Sequence, residues 1–196
     1  MAYRNGTYIA FDGLGQTNPT LSDFRYYATI QAWAVSKNIE FKYVDSHDKT
    51  YAVRDASLRR TLEARINERL SNSKNVLAII SSKTRKSGSM LSYEIEKAVD
   101  QYQLPLIITY TDYDIVAEPE LLSSYWPTAL SMRINNETAK AIHIPFIKPT
   151  ILDAIGQFTC SNLPATSLNR YTEGAYRHDF CCIQPFEPYA NRKKSK

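Results

Sequence analysis

Val76-Leu77-Ala78-Ile79-Ile80 is an unbroken apolar run. A strand with one solvated face alternates apolar and polar residues, so this run predicts a central parallel strand covered on both faces. Its surroundings agree. Tyr8-Ile9-Ala10-Phe11 is a short apolar strand that ends at the loop Asp12-Gly13-Leu14-Gly15-Gln16-Thr17-Asn18-Pro19. Thr20 or Ser22 caps a helix with Asp23 in its first turn, and Phe24, Tyr27, Ala28, Gln31, Ala32 and Val35 form its stripe. Ile39 to Val44 alternates, the pattern of a strand nearer the sheet edge, and a polar loop follows from Asp45 to about Val53. A second helix starts at Asp55 or Ser57 and closes at Ser71-Asn72-Ser73, with Leu58, Leu62, Arg65, Ile66 and Leu70 inward. A third runs from about Ser89 to Gln103, and Pro105 to Tyr110 is the next strand, followed by the loop Thr111 to Asp114. Strands and helices in alternation predict an α/β, doubly wound, mostly parallel sheet.

After Glu118 the pattern weakens. Leu121 to Tyr125 reads as a short helix, Ala129 to Ile134 as the last strand and Pro149 to Phe158 as a closing helix. From Cys160 the chain reads as irregular, rich in Tyr, Pro and Asn. The expected organisation is one domain over residues 1–159 and a C-terminal extension over 160–196.

The 43% hydrophobic and 22% charged content of these 196 residues fits a globular core. The net charge of +4 includes the terminal Arg192-Lys193-Lys194-Ser195-Lys196, and other basic clusters are short, such as Arg59-Arg60 and Lys83-Thr84-Arg85-Lys86. That is no nucleic-acid face. Cys160, Cys181 and Cys182 contain no CxxC pair. No apolar run approaches the roughly 18 residues of a membrane span. The expectation is a cytoplasmic protein with reduced thiols, bound to neither membrane nor nucleic acid.

Motifs narrow the chemistry by elimination. His47, His143 and His178 lie far apart and form no zinc spacing, so no metal site is expected. Cys181 and Cys182 lie near His178 in a segment without scaffold. Gly13-Leu14-Gly15 lacks the third glycine of a dinucleotide fingerprint, and no Gly-Lys-Ser or Gly-Lys-Thr cradles a phosphate. Polar groups at the carboxyl ends of successive strands remain: Asp12, Asp45, Ser81-Ser82 with Thr84, and Asp112. An open α/β sheet builds its crevice there. Glu94 lies near the start of the third helix, ahead of Ile95, Ala98 and Val99 on an apolar face. On spacing alone it is either a cleft carboxylate or an ordinary partner of the helix dipole.

Four stretches carry a resemblance. They are Tyr8 to Asp12, Asp23-Phe24-Arg25 with Trp33, Ile66 to Val76, and Ser81-Ser82-Lys83-Thr84 with Tyr93-Glu94-Ile95. In order and spacing they resemble TIR-domain proteins of the TIR-like branch found in Thoeris anti-phage systems. The resemblance implies a flavodoxin-like TIR fold with a central five-stranded, mostly parallel sheet. It also implies an NAD glycohydrolase or ADP-ribosyl cyclase that releases nicotinamide and makes a cyclic ADP-ribose-type signal. NAD is then the substrate, and no cofactor is expected. Glu94 takes the family's catalytic position. Phe11 and Asp12 would line the nucleotide site, and Ser82 and Thr84 would border the ribose. Met90 stands where many TIR enzymes carry Trp, and the first loop lacks the arginines seen in some of them, so phosphate contacts fall to Arg25, Lys83 or Arg85. Residues from Asp45 to Arg54 occupy the place of the self-assembly loop, which in many members completes a neighbour's site. The implied partners are further copies of the chain, a separate NAD-consuming effector and a phage trigger. Two other readings stand beside this one: a non-catalytic TIR adaptor acting by self-association, and a nucleoside deoxyribosyltransferase-like enzyme, which shares the fold arrangement and a catalytic Glu.

Overall fold

The structure, a computed structural model, describes residues 4–15, 22–35, 43–44, 57–177 and 191–194. The expectations for Asp45 and its loop, for the cap at Thr20, for Ile39 to Lys42, and for His47, His178, Cys181 and Cys182 fall outside these residues. The first part of the chain runs β1 (Gly6–Ala10), α1 (Phe24–Val35), β2 (Tyr43–Val44), α2 (Ser57–Ser71), β3 (Ser73–Ile80) and α3 (Met90–Glu96). A π-helical turn over Lys97–Gln101 follows, then β4 (Leu106–Tyr110) and β5 (Tyr113–Ile115). The remainder is a 3-10 helix over Pro119–Tyr125, α4 (Thr128–Asn135), β6 (Ala141–Pro145), α5 (Lys148–Gln157), β7 (Asn169–Arg170), α6 (Glu173–Arg177) and β8 (Arg192–Lys193).

The main sheet has the order β2-β1-β3-β4-β6-β7, every pair parallel. Its first five strands follow the 2-1-3-4-5 order of flavodoxin-like folds, with the reversal between β1 and β3. Asp12 leaves the end of β1 and Ser81 the end of β3, so both flank that switch point.

Period-two alternation divides the core. Tyr8, Ala10, Val76, Ala78, Ile80, Leu106 and Ile108 pack on one face against Ile66, Leu70, Leu91, Ile95 and Leu130 from α2, α3 and α4. Ile9, Phe11, Leu77, Ile79, Ile107, Ile142 and Ile144 pack on the other against Tyr27, Ile30, Ile151, Ala154 and Ile155 from α1 and α5. The inner face of α1 therefore includes Ile30, whereas Ala32 is exposed.

Two elements depart from the expectation. Ala129 to Ile134 lies in α4, not in a strand. Leu130, Met132 and Ile134 alternate with polar residues, yet Leu130 and Ile134 are one helical turn apart and buried while Met132 is 60% exposed. The next strand of the main sheet is instead β6, where His143 and Pro145 interrupt an otherwise apolar segment. The loop after β4 also contains β5, which pairs antiparallel with β8 near the far end of the chain.

His143 is fully buried and fully bonded. Trp126 Nε1–H donates to Tyr110 Oη at 2.6 Å, and Tyr110 Oη lies 2.8 Å from His143 Nδ1. His143 Nε2 lies 3.0 Å from the Ser167 carbonyl oxygen. That carbonyl can only accept, so Nε2 carries the proton and Nδ1 accepts from Tyr110. Burial pushes the imidazole pKa down to about 4, which keeps the ring neutral in this chain of bonds. The same network ties the segment before β7 to β6. Tyr110→Phe removes one hydroxyl and leaves both the Trp126 N–H and His143 Nδ1 unpaired. We expect it to lose about 1–3 kcal/mol of stability, read as a lower midpoint in urea unfolding at pH 7.5.

Candidate functional site

Leu91, Glu94, Ile95 and Ala98 recur at helical spacing on the inward side of α3 and of the π-turn that continues it. Glu94 therefore lies on the packed face, 3% exposed, rather than on a solvated edge. It is the fifth residue of α3, and the first turn holds no acidic residue. The helix-dipole explanation of this glutamate is thereby removed, since that effect is confined to the terminal turn. Tyr8 Oη–H, projecting from β1, donates to Glu94 Oε1 at 2.7 Å. Glu94 Oε2 is shut off from solvent and has no hydrogen-bond partner among the described residues. Burial pushes the carboxyl pKa up to about 7, and the charge of Asp12 adds to the shift. The Tyr8 hydrogen bond and the positive charge of Arg69 on α2 act in the opposite direction.

The strand ends beside Glu94 are organised by carboxylates. Asp12 is 1% exposed. Its Oδ1 accepts the Leu14 N–H at 2.9 Å, closing a turn in which Leu14 and Gly15 have φ of 54° and 66°. The Arg85 guanidinium clamps both oxygens, Nη2 to Oδ1 at 2.7 Å and Nε to Oδ2 at 3.0 Å, and the Arg85 backbone N–H reaches Oδ2 at 2.9 Å. Burial alone raises the Asp12 carboxyl, but these donors outweigh it and hold the group below its ordinary range. Asp23, just before α1, is buried as well, and its Oδ2 accepts from Ser81 Oγ at 3.0 Å. Burial, with the charges of Asp12 and Asp112, raises it to about 6.

The loop after β3 is thereby fixed at several points. Ser81 N–H donates to Thr84 Oγ1 at 2.9 Å, and Ser82 N–H donates to Asp112 Oδ2 at 3.0 Å. Lys86 Nζ donates to the carbonyls of Ser124 and Trp126, and Thr128 N–H returns a bond to the Lys86 carbonyl at 2.8 Å. The segment that leads into α3, and so sets the position of Glu94, is anchored on both sides.

The expected site residues fall unevenly. Asp12 and Thr84 belong to this cluster, with Ser82 joined through its backbone and its side chain exposed, while Glu94 bonds Tyr8 and feels the charge of Asp12. Phe11 is buried in an aromatic group, stacked 5.2 Å from Tyr27 and edge-on to Phe24. Met90 is half-buried against the core beside Tyr93. Arg85 is committed to Asp12, and exposed Arg25 lies over the ring of Tyr26. Tyr8 and Asp23 were read only as strand and helix residues, yet each bonds a distant member of the cluster. The apolar context of Tyr8 hides its hydroxyl, and nothing local to Asp23 points to Ser81. Cavities of about 550 Å³ beside Gln103 and Lys140, and about 770 Å³ beside Arg170 and Tyr176, do not border Glu94. Among the described residues, no three His, Cys, Asp or Glu side chains are grouped to hold a metal.

A carboxylate with a perturbed titration, bonded to β1 of a flavodoxin-like sheet, is the candidate site. Over residues 8–114 the sequence matches the family model of Thoeris protein ThsB, TIR-like domain. The chain belongs to this family. It is a TIR-like protein of the Thoeris anti-phage defence type. The matched span contains Tyr8, Asp12, Asp23, Arg85, Glu94 and Asp112. No helix of the described residues is long and apolar enough to cross a membrane.

The raised Glu94 pKa has a consequence for stability. An unfolded glutamate titrates near its ordinary 4.5 and the folded one near 7, so the folded state binds the extra proton between these values. Stability contributed through Glu94 is therefore present at low pH and lost as pH rises through about 7. Glu94→Gln keeps the shape and an oxygen for Tyr8 but removes the buried charge. We expect the variant to melt about 3–10 °C above the parent at pH 8 and to lose most of that advantage at pH 5, as read by calorimetry.

Proposed function

We propose that this protein cleaves the nicotinamide–ribose bond of NAD, with Glu94 as the catalytic carboxylate. The observation that carries the reading is a buried carboxylate with one oxygen bonded and the other, Oε2, left without a partner among the described residues. A buried acceptor without a donor is costly, and such costs persist where a ligand relieves them. A ribose hydroxyl is a donor of the right kind.

The chemistry follows from the charge. When the C1′–N bond breaks, its electron pair leaves with nicotinamide, which becomes neutral, and the ribose becomes an oxocarbenium-like cation. A carboxylate held beside that carbon stabilises the cation where water is excluded. Attack by water then releases a proton, and Glu94, with a pKa of about 7, is matched to accept it near neutral pH. The product is ADP-ribose. Capture by an internal nucleophile of the bound nucleotide gives the cyclic isomer, a signal for a separate NAD-consuming effector after a phage trigger. In this reading Phe11, Asp12, Ser82, Thr84 and Met90 border the substrate, and a neighbouring copy completes the site through the segment containing Asp45. The setting is the cytoplasm, where NAD is held.

The sealing of Oε2 from solvent favours one other reading, a TIR adaptor that works by self-association without catalysis. The two separate cleanly. Wild type and Glu94→Gln are expressed in bacteria, with and without phage, and NAD and its products are followed by mass spectrometry. We expect nicotinamide and an ADP-ribose isomer to accumulate in wild type after infection and to fall at least about 100-fold in Glu94→Gln. Equal product levels in the two strains would leave the adaptor. Turnover of deoxynucleosides in place of NAD would indicate a deoxyribosyltransferase-like enzyme.

A further inference from the structure

The geometry points to Tyr8 as the positioning residue for the reaction: its hydroxyl holds Glu94 Oε1 and leaves Oε2, buried and without a partner among the described residues, as the carboxylate oxygen that a substrate donor would meet. The inference rests on the reading of Glu94 as the catalytic carboxylate.

A glutamate side chain has several rotatable bonds and two chemically equal oxygens, so burial alone does not choose which oxygen faces the reacting carbon. Here the choice is made by a residue on another element. Tyr8 is 0% exposed, and its ring is packed in the same apolar cluster as Ala10, Val76, Leu91 and Ile95. Both ends of the 2.7 Å bond thus sit on rigid structure, Tyr8 on a central strand and Glu94 on the packed face of α3. Its length is that of a strong hydroxyl–carboxylate hydrogen bond.

The bond also acts on charge. A donor to a carboxylate favours the ionised form, which is the form that stabilises an oxocarbenium. The other charges that act on Glu94 are Asp12, which lies at the end of β1 and is clamped by Arg85, and Arg69 on α2. Asp12 disfavours the ionised form and Arg69 favours it. The Tyr8 hydrogen bond is made to one named oxygen, Oε1.

The test pairs kinetics with a titration. Nicotinamide release from NAD is measured against pH for wild type and Tyr8→Phe, in extracts of phage-infected cells. The Glu94 carboxyl carbon is titrated by 13C NMR in the purified proteins. We expect Tyr8→Phe to lower kcat about 10- to 100-fold at pH 7 with KM changed less than about threefold. The rising limb of the pH profile and the NMR titration should both move up by about one pH unit. A merely structural tyrosine would lower the amount of folded protein without moving either midpoint. Unmoved midpoints overturn the inference. Should Tyr8→Phe fail to fold, 3-fluorotyrosine incorporated at position 8 keeps the ring and makes a stronger donor. Both midpoints should then move down, and unmoved midpoints again overturn the inference. Absence of nicotinamide release by wild type removes the parent reading and this one with it, and that outcome is distinct from an active wild type beside an unchanged variant.

Discussion

The central strands of this sheet are covered on both faces, and that constraint decides where charge can go. From Val76 to Ile80, and through all of β4, every residue is buried and none is ionisable below the tyrosine range. A charge placed there would meet neither water nor partner. The ionisable groups collect instead where the strands stop, as Asp12 after β1, Lys83 and Arg85 after β3 and Asp112 after β4. Glu94 is placed differently. It is carried on the buried face of a helix, so it enters the low-dielectric interior that the strands exclude charge from.

The three buried carboxylates of the cluster are treated differently, and the difference separates frame from chemistry. Asp12 receives three bonds from the Arg85 guanidinium and two from backbone N–H groups, so its negative charge is stabilised and its titration is pushed down. Asp23 receives one hydroxyl from Ser81 and rises. Glu94 receives one hydroxyl from Tyr8, keeps one oxygen bare and rises further. A saturated carboxylate is an anchor, because no ligand can improve on the partners it has. An under-bonded one is a place where a ligand restores what folding removed. Carboxylates pushed apart in this way mark candidate working sites.

Much of this was legible in the chain because it is local. An unbroken apolar run, a loop without helix or strand character and a closing amphipathic helix each lie within a window of about ten residues, and β3, the turn after Asp12 and α5 follow from them. Glu94 was legible by its place just after a strand-end loop. What the chain concealed was relational. Tyr8 reads as core because an aromatic in an apolar strand is core, and its hydroxyl acquires meaning only from a residue 86 positions away. Asp23 reads as a first-turn acid because its partner Ser81 is 58 positions away. Leu130, Met132 and Ile134 satisfy the strand period and, for the two that matter, the helix period as well. β5 depends on β8, nearly 80 residues later, which no window contains.

The firmness of the frame bears on how a substrate would reach Glu94. The loop from Ser81 to Lys86 is held by Asp12, Asp23 and Asp112 on one side and by the carbonyls of Ser124 and Trp126 on the other. Opening the site through that loop would release several buried polar groups at once, each left without its partner. On the proposed reading, a substrate that reaches Glu94 therefore does so with that loop in place, and the frame holds Glu94 fixed at the cost of its hydration.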